Sequence, residues 1–90
     1  METATVLAFE HTRPSWPVHI VVVPKRHTPS LIQLGEGGEE LLLEVLRVVQ
    51  QIAEQVCKEY GAACVMTNVG AYQDSKHLHW HVLFRGDQPG

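Results

Sequence analysis

The stretch His77-Leu78-His79-Trp80-His81-Val82-Leu83 sets three histidines at alternate positions, each followed by an apolar residue. A β-strand sends successive side chains to opposite faces, so this spacing puts the three imidazoles on one face. Leu78, Trp80 and Val82 then point the other way, into a core. That strand decides the fold class: one side of its sheet is covered by packing and the other is left for chemistry. It also carries most of the functional content, because an imidazole is a nucleophile, a general acid or base near neutral pH, or a metal ligand.

Working outward from that strand, residues 19–23 (His-Ile-Val-Val-Val) are β-branched and almost continuously apolar, a central strand stopped by Pro24. Residues 5–9 read as a short strand, and Arg13-Pro14-Ser15-Trp16-Pro17 as a turn-rich connection stiffened by two prolines. Residues 25–34 form a loop or short helical turn, with Ser30 available as a cap. After Gly37-Gly38 the apolar positions Leu41, Leu42, Val45, Leu46, Val49, Ile52, Ala53 and Val56 recur at three- and four-residue steps. This spacing predicts one long helix with a single buried stripe, running to about Tyr60. Glu39 and Glu40 suit its first turn, Lys58 its last, and Gly61 its stop. Residues 62–67 read as a third strand, 68–74 as a polar loop, and the histidine strand as ending near Arg85. The tail 86–90 is expected to be frayed. The order β-β-α-β-β predicts an α+β fold: an antiparallel sheet of about four to five strands with one long helix packed on it, as a single domain over residues 1–90.

Composition limits the function classes. The chain has 90 residues and a formal net charge of −3, with seven Lys and Arg against ten acids. That balance argues against a nucleic acid polymer as partner, whereas a small nucleotide needs only a few local donors. A core this small is marginal alone, which makes a homodimer an expectation. No run approaches the ~18 apolar residues needed to span a bilayer, and the first nine residues lack the basic start and apolar run of a signal peptide. The expected setting is the cytoplasm, without a membrane partner. Cys57 and Cys64 read as reduced, partly buried small hydrophobes and not as a CxxC site.

Spacing alone leaves three chemistries for His77, His79 and His81: a zinc site completed by a ligand from elsewhere, phosphoryl or acyl transfer through a histidine nucleophile, or a solvated histidine-rich strand. Asn68, Gln73 and His27 tilt the choice, since a phosphate needs neutral or cationic donors around it whereas zinc favours carboxylate or thiolate support.

With these residues in view, the chain resembles the histidine triad (HIT) family. The likeness rests on the triad itself and on Pro17-Val18-His19-Ile20-Val21-Val22-Val23-Pro24-Lys25-Arg26-His27, with Asn68 and Gly70 after the third strand. It spans roughly residues 7–85. The resemblance implies a homodimeric nucleotide hydrolase or transferase acting at the α-phosphate of nucleoside phosphoramidates or dinucleoside polyphosphates. It implies that His79 is the nucleophile, that His77 and His81 orient it and bind phosphate, and that His27 completes the imidazole cluster. Asn68 and Gln73 would contact ribose or phosphate. No metal and no cofactor is required by that scheme.

Two positions depart from the family pattern. His11 aligns where a ribose-binding aspartate is expected, with Glu10 beside it as a substitute. Asp74 stands where many members carry Ser or Thr, and is assigned an auxiliary role, as proton donor or as a residue that orients a histidine or caps the loop. His19 is read as a hydrogen-bonded structural histidine, Trp80 as core, and Trp16 as a packed or pocket residue. Two alternatives stay beside the enzyme reading: a nucleotide-binding module with little turnover, and a zinc protein using the triad.

Overall fold

The structure, a computed structural model, describes residues 1–86. Four strands and one long helix make up the regular structure: β1 (Val6–Glu10), β2 (Val18–Pro24), α1 (Gly38–Tyr60), β3 (Cys64–Thr67) and β4 (Trp80–Phe84), with a 3₁₀ turn at Gly70–Tyr72. The strands form one antiparallel sheet in the order β1-β2-β4-β3. The last strand in sequence is therefore inserted between β2 and β3, and α1 provides the crossover between those two parallel outer neighbours. The α+β expectation holds, with four strands among the described residues. The expected frayed tail lies outside the described residues from position 87 onward.

The helix forms where its apolar period predicts. Val45, Val48, Val49, Ile52 and Val56 are buried and pack with Val6, Ala8, Val22 and Val82 from three strands. Val48 joins the stripe, whereas Leu41, Leu42, Leu46 and Ala53 lie at its half-buried margins. Gly61 ends the helix in the left-handed region (φ 93°) and donates its N–H to Cys57 O at 2.8 Å, which caps one of the orphan carbonyls. At the other end the need for glycine is steric: a Cβ on Gly38 would lie 2.5 Å from Leu34 Cβ.

The alternation of faces follows from the core. Val6, Ala8, Val22 and Val82 face α1, so Phe9, Val21 and His81 face the other way. The register places Phe9, Val21, His81 and Met66 in one row across all four strands, and His19, Leu83 and Cys64 in the next. Cys64 is half-buried, but Cys57 is exposed on the helix, which corrects the expectation of burial there; both are free thiols. No helix is long and apolar enough to cross a membrane among the described residues.

Candidate active site

The histidine strand is shorter than its sequence pattern. Pairing begins only at Trp80, and His77, Leu78 and His79 form an extended lead-in held by the loop after β2. The Leu78 N–H donates to Thr28 O at 2.6 Å, Leu78 itself is buried, and the Thr67 hydroxyl donates to His79 O at 2.7 Å. The lead-in leaves the ladder before β2 ends: continuing the register would set His79 opposite Val23 and Leu78 opposite Pro24, but the Leu78 N–H goes to Thr28 O instead. Consequently only His81 of the three histidines sits in the sheet proper.

Each imidazole is held in a particular tautomer by what its ring nitrogens meet. A backbone carbonyl accepts only, so His79 Nδ1, 2.8 Å from His77 O, carries the proton and donates it. The remaining nitrogen, Nε2 of His79, is then an unprotonated lone pair in the neutral ring. His77 is anchored by Nε2–H donating to Pro24 O at 2.9 Å. Its Nδ1 accepts from the Thr28 N–H at 3.4 Å and from His27 Nδ1 at 3.3 Å, and the His27 and His77 rings stack with centroids 5.3 Å apart.

The other side of the cluster runs with opposite polarity. A backbone N–H donates only, so His19 Nδ1, 3.3 Å from the Ser15 N–H, is the acceptor. His19 therefore donates through Nε2–H to His81 Nδ1 at 2.8 Å, and His81 is left with Nε2–H as an outward donor. His11 continues the array: its ring stacks on His19 at 4.4 Å and lies 6.5 Å from His81. Its Nδ1 accepts from the Arg13 N–H at 2.9 Å. The His79 and His81 rings meet edge-on, centroids 5.0 Å apart, so a lone pair and an N–H donor belong to adjoining rings.

Burial reinforces these neutral states. Burial pulls the His81 pKa down to about 4, assisted by repulsion from His79, His19 and His11, while Asp74 pulls weakly the other way. The His19 pKa is lowered too, first by burial and then by His11. A neutral imidazole at His81 is what the relay from Ser15 through His19 requires.

The predicted residues are thus distributed unevenly. His79 and His81 are in contact, His77 connects to them through its backbone carbonyl, and His27 joins the triad through its contact with His77. Asp74 is exposed, with its charge felt at His81. Asn68 is half-buried and follows Thr67, the register partner of Trp80, so it lies level with His79. Gln73 differs from expectation: its amide nitrogen donates to Pro29 O at 2.6 Å, which commits that donor to bracing the loop. Glu10 pairs with Ile20, a residue packed on the helix-side core, so it stands on the opposite face from His81 and does not replace an acid there. His19, read as structural, is hydrogen-bonded as expected, but its partner is the third triad histidine. Thr67 and Thr28 were not singled out. The signal for His19 lay in strand parity, since it shares a face with Val21, whereas Thr67 and Thr28 act through backbone contacts that leave no pattern. Among the described residues no group of three His, Cys, Asp or Glu is arranged to hold a metal ion; the imidazoles bond to one another and to the backbone. A cavity of about 420 Å³ opens between β1, β2 and the last turns of α1, bordered by Ile20, Ile52, Val56 and Tyr60 and reaching His11 and His19.

Known proteins resemble this chain along its whole described length. The HIT domain family model matches residues 1–88. The purine nucleoside phosphoramidase of Escherichia coli strain K12 is 32% identical over 80 residues, covering 87% of this chain and 67% of that protein. An uncharacterized HIT-like protein of Borreliella burgdorferi is 29% identical over 92 residues, covering 99% of this chain and 66% of that protein. This chain thus spans about two thirds of the length of these two relatives. Among solved structures, a histidine triad protein from Clostridium difficile superposes with a TM-score of 0.83 at 34% identity, covering all of this chain and 80% of that one. A HIT family hydrolase from Legionella pneumophila superposes with a TM-score of 0.83 at 28% identity, covering 98% of this chain and 80% of that one. The triad, the sheet that displays it and these likenesses agree: the chain belongs to the HIT family.

Proposed function

We propose that this protein is a nucleotide hydrolase or nucleotidyl transferase that works through a covalent nucleotidyl-histidine intermediate on His79. The observation that carries the reading is the tautomer of His79, whose Nδ1–H is bound to the His77 carbonyl at 2.8 Å, leaving Nε2 as the nucleophile. In the first step the Nε2 lone pair attacks the α-phosphorus of a nucleoside phosphoramidate and the P–N bond breaks. The nitrogen, protonated in the zwitterionic substrate, leaves as a neutral amine. The ring becomes cationic as the N–P bond forms, and the His77 carbonyl stabilises that charge through Nδ1–H. In the second step water attacks phosphorus, Nε2 departs with its electron pair, and nucleoside monophosphate is released with loss of a proton to solvent. Charge on the equatorial oxygens is met by the His81 Nε2–H, preorganised by His19. Neither step needs a metal or a cofactor. The phosphoramidase named among the relatives supports this substrate class, and the HIT hydrolase among the structural neighbours supports hydrolysis. A homodimer in the cytoplasm completes the proposal.

Intact mass of protein mixed with adenosine phosphoramidate and quenched in alkali tests it. The expected result is a transient gain of one adenylyl group, absent in His79→Ala, together with a loss of turnover on the order of 10⁴-fold or more in that variant. Binding of the nucleotide without adduct or turnover would leave a binding module in place of an enzyme.

A further inference from the structure

His11 belongs to the donor side of the array, and the scheme above leaves its ring unused. Its place in the fold is set by pairing: its N–H donates to His19 O at 2.8 Å, which extends the β1–β2 ladder by one residue and puts His11 in the row of His19. The ring stacks on His19 and stands 6.5 Å from His81. The Arg13 N–H occupies Nδ1, so in the neutral ring the proton is on Nε2. No other hydrogen bond engages His11 among the described residues, which leaves Nε2–H as a free donor beside the cavity between β1, β2 and α1.

We propose that His11 reads the ribose of the nucleotidyl group and that this site prefers a ribose bearing a phosphate over a bare diol. The inference rests on the reading of the triad as a nucleotide site and adds the substrate class. The His79 ring contacts that of His81 and the His11 ring stands 6.5 Å from it, so a nucleotide with its phosphorus at His79 has the His11 donor within reach of its sugar. A single fixed N–H is matched to an acceptor, above all an anionic one, and cannot accept the hydrogen bonds that two hydroxyls offer.

The charges around it agree. Arg13 lies in the same turn, exposed. The carboxylates bordering the cavity, Glu10 and Glu59, belong to the helix side, and His19 is lowered by burial and by His11, not by either of them. Asp74 is felt at His81, at the triad end, and does not shift His19.

Titration calorimetry with adenosine 3′,5′-bisphosphate and adenosine 5′-monophosphate on the whole chain, His11→Ala, His11→Gln and His11→Asp tests this without relying on turnover. The expected result is binding of the bisphosphate about tenfold tighter or more. That ratio should collapse toward one in His11→Ala, be partly retained in His11→Gln, which keeps an N–H donor, and fall below one in His11→Asp. Thermal melts of the variants check that they fold. Equal binding of the two ligands, or a preference that survives in His11→Ala, would overturn the role of His11 and leave the nucleotide site standing. Binding of neither ligand would overturn both.

Discussion

The two halves of the imidazole cluster are anchored by opposite ends of the peptide group. His77 and His79 hang from carbonyls, Pro24 O and His77 O, so their protons turn inward and, in His79, a lone pair is left over. His11 and His19 hang from amides, those of Arg13 and Ser15, so their lone pairs turn inward and protons are left over. His19 passes that polarity to His81. Chemically identical side chains thus present a lone pair in one half and hydrogen-bond donors in the other. The backbone makes the selection, because a carbonyl can only accept and an amide can only donate. The proposed phosphoryl transfer needs both kinds of group side by side, and the 5.0 Å contact of His79 with His81 is where the two halves meet.

Breaking the donor half should cost less than losing the nucleophile. His81→Ala is expected to lower kcat by about 10²–10³-fold, the usual effect of removing one transition-state donor. His81→Gln should recover part of that loss because it restores an N–H, whereas a His79→Gln enzyme should remain inactive. Parallel steady-state kinetics on the three variants would decide it; equal rates for the two His81 variants would break the assignment of His81 as a donor.

Removing the relay alone should cost less again. His19→Leu is expected to reduce kcat by about 10–100-fold, the scale of losing a partner that orients a functional histidine, with KM changed far less. The same variant should alter the acid limb of the kcat profile, a change that mere loss of packing would not produce.

The pH dependence of stability sharpens the contrast between the halves. An unfolded histidine titrates near 6.5, while burial pulls His81 down to about 4 in the fold. Between those values the unfolded chain binds the extra proton, so stability present above pH 6.5 is lost as pH falls toward 4. The lowered pKa of His19 acts in the same direction. Melting temperature should therefore drop between pH 7 and pH 5, and less steeply in His81→Gln. Indistinguishable slopes would remove the donor half as the source.

The smallest effect is expected on the core side of the same strand. Trp80 Nε1 is a buried donor without a hydrogen-bond partner among the described residues, an arrangement that costs stability. Trp80→Phe should therefore lie within about 1 kcal/mol of the parent by denaturant unfolding, the lost area being offset by removal of the orphan N–H. A large destabilisation would show that the indole N–H has a partner in solution.

Where the sequence reading fell short, the contacts are non-local. Gln73 read as a contact to ribose or phosphate, yet an N–H of its amide is used on Pro29, 44 positions away in sequence. His27 read as the residue completing the cluster, and it does contact the triad through His77, but the partner of His81 is His19, 62 positions away. Both histidines flank the same strand, and composition offers no means of choosing between them. Choosing requires knowing which residue of β2 stands opposite His81, and register is a property of two strands together.

The sequence by itself determined the α+β class, the helix and its buried stripe, the two-sided character of the histidine strand and membership of the family. These follow from periods of 3.6 and 2 and from a motif, all of them local. Only the tertiary structure decided that β4 enters between β2 and β3, that the ladder starts at Trp80 and not at His77, and that His11 and His19 stack into the cluster. It also decided the tautomers, because a ring nitrogen's proton is assigned by the group facing it, and the facing groups are brought together by chain segments distant in sequence.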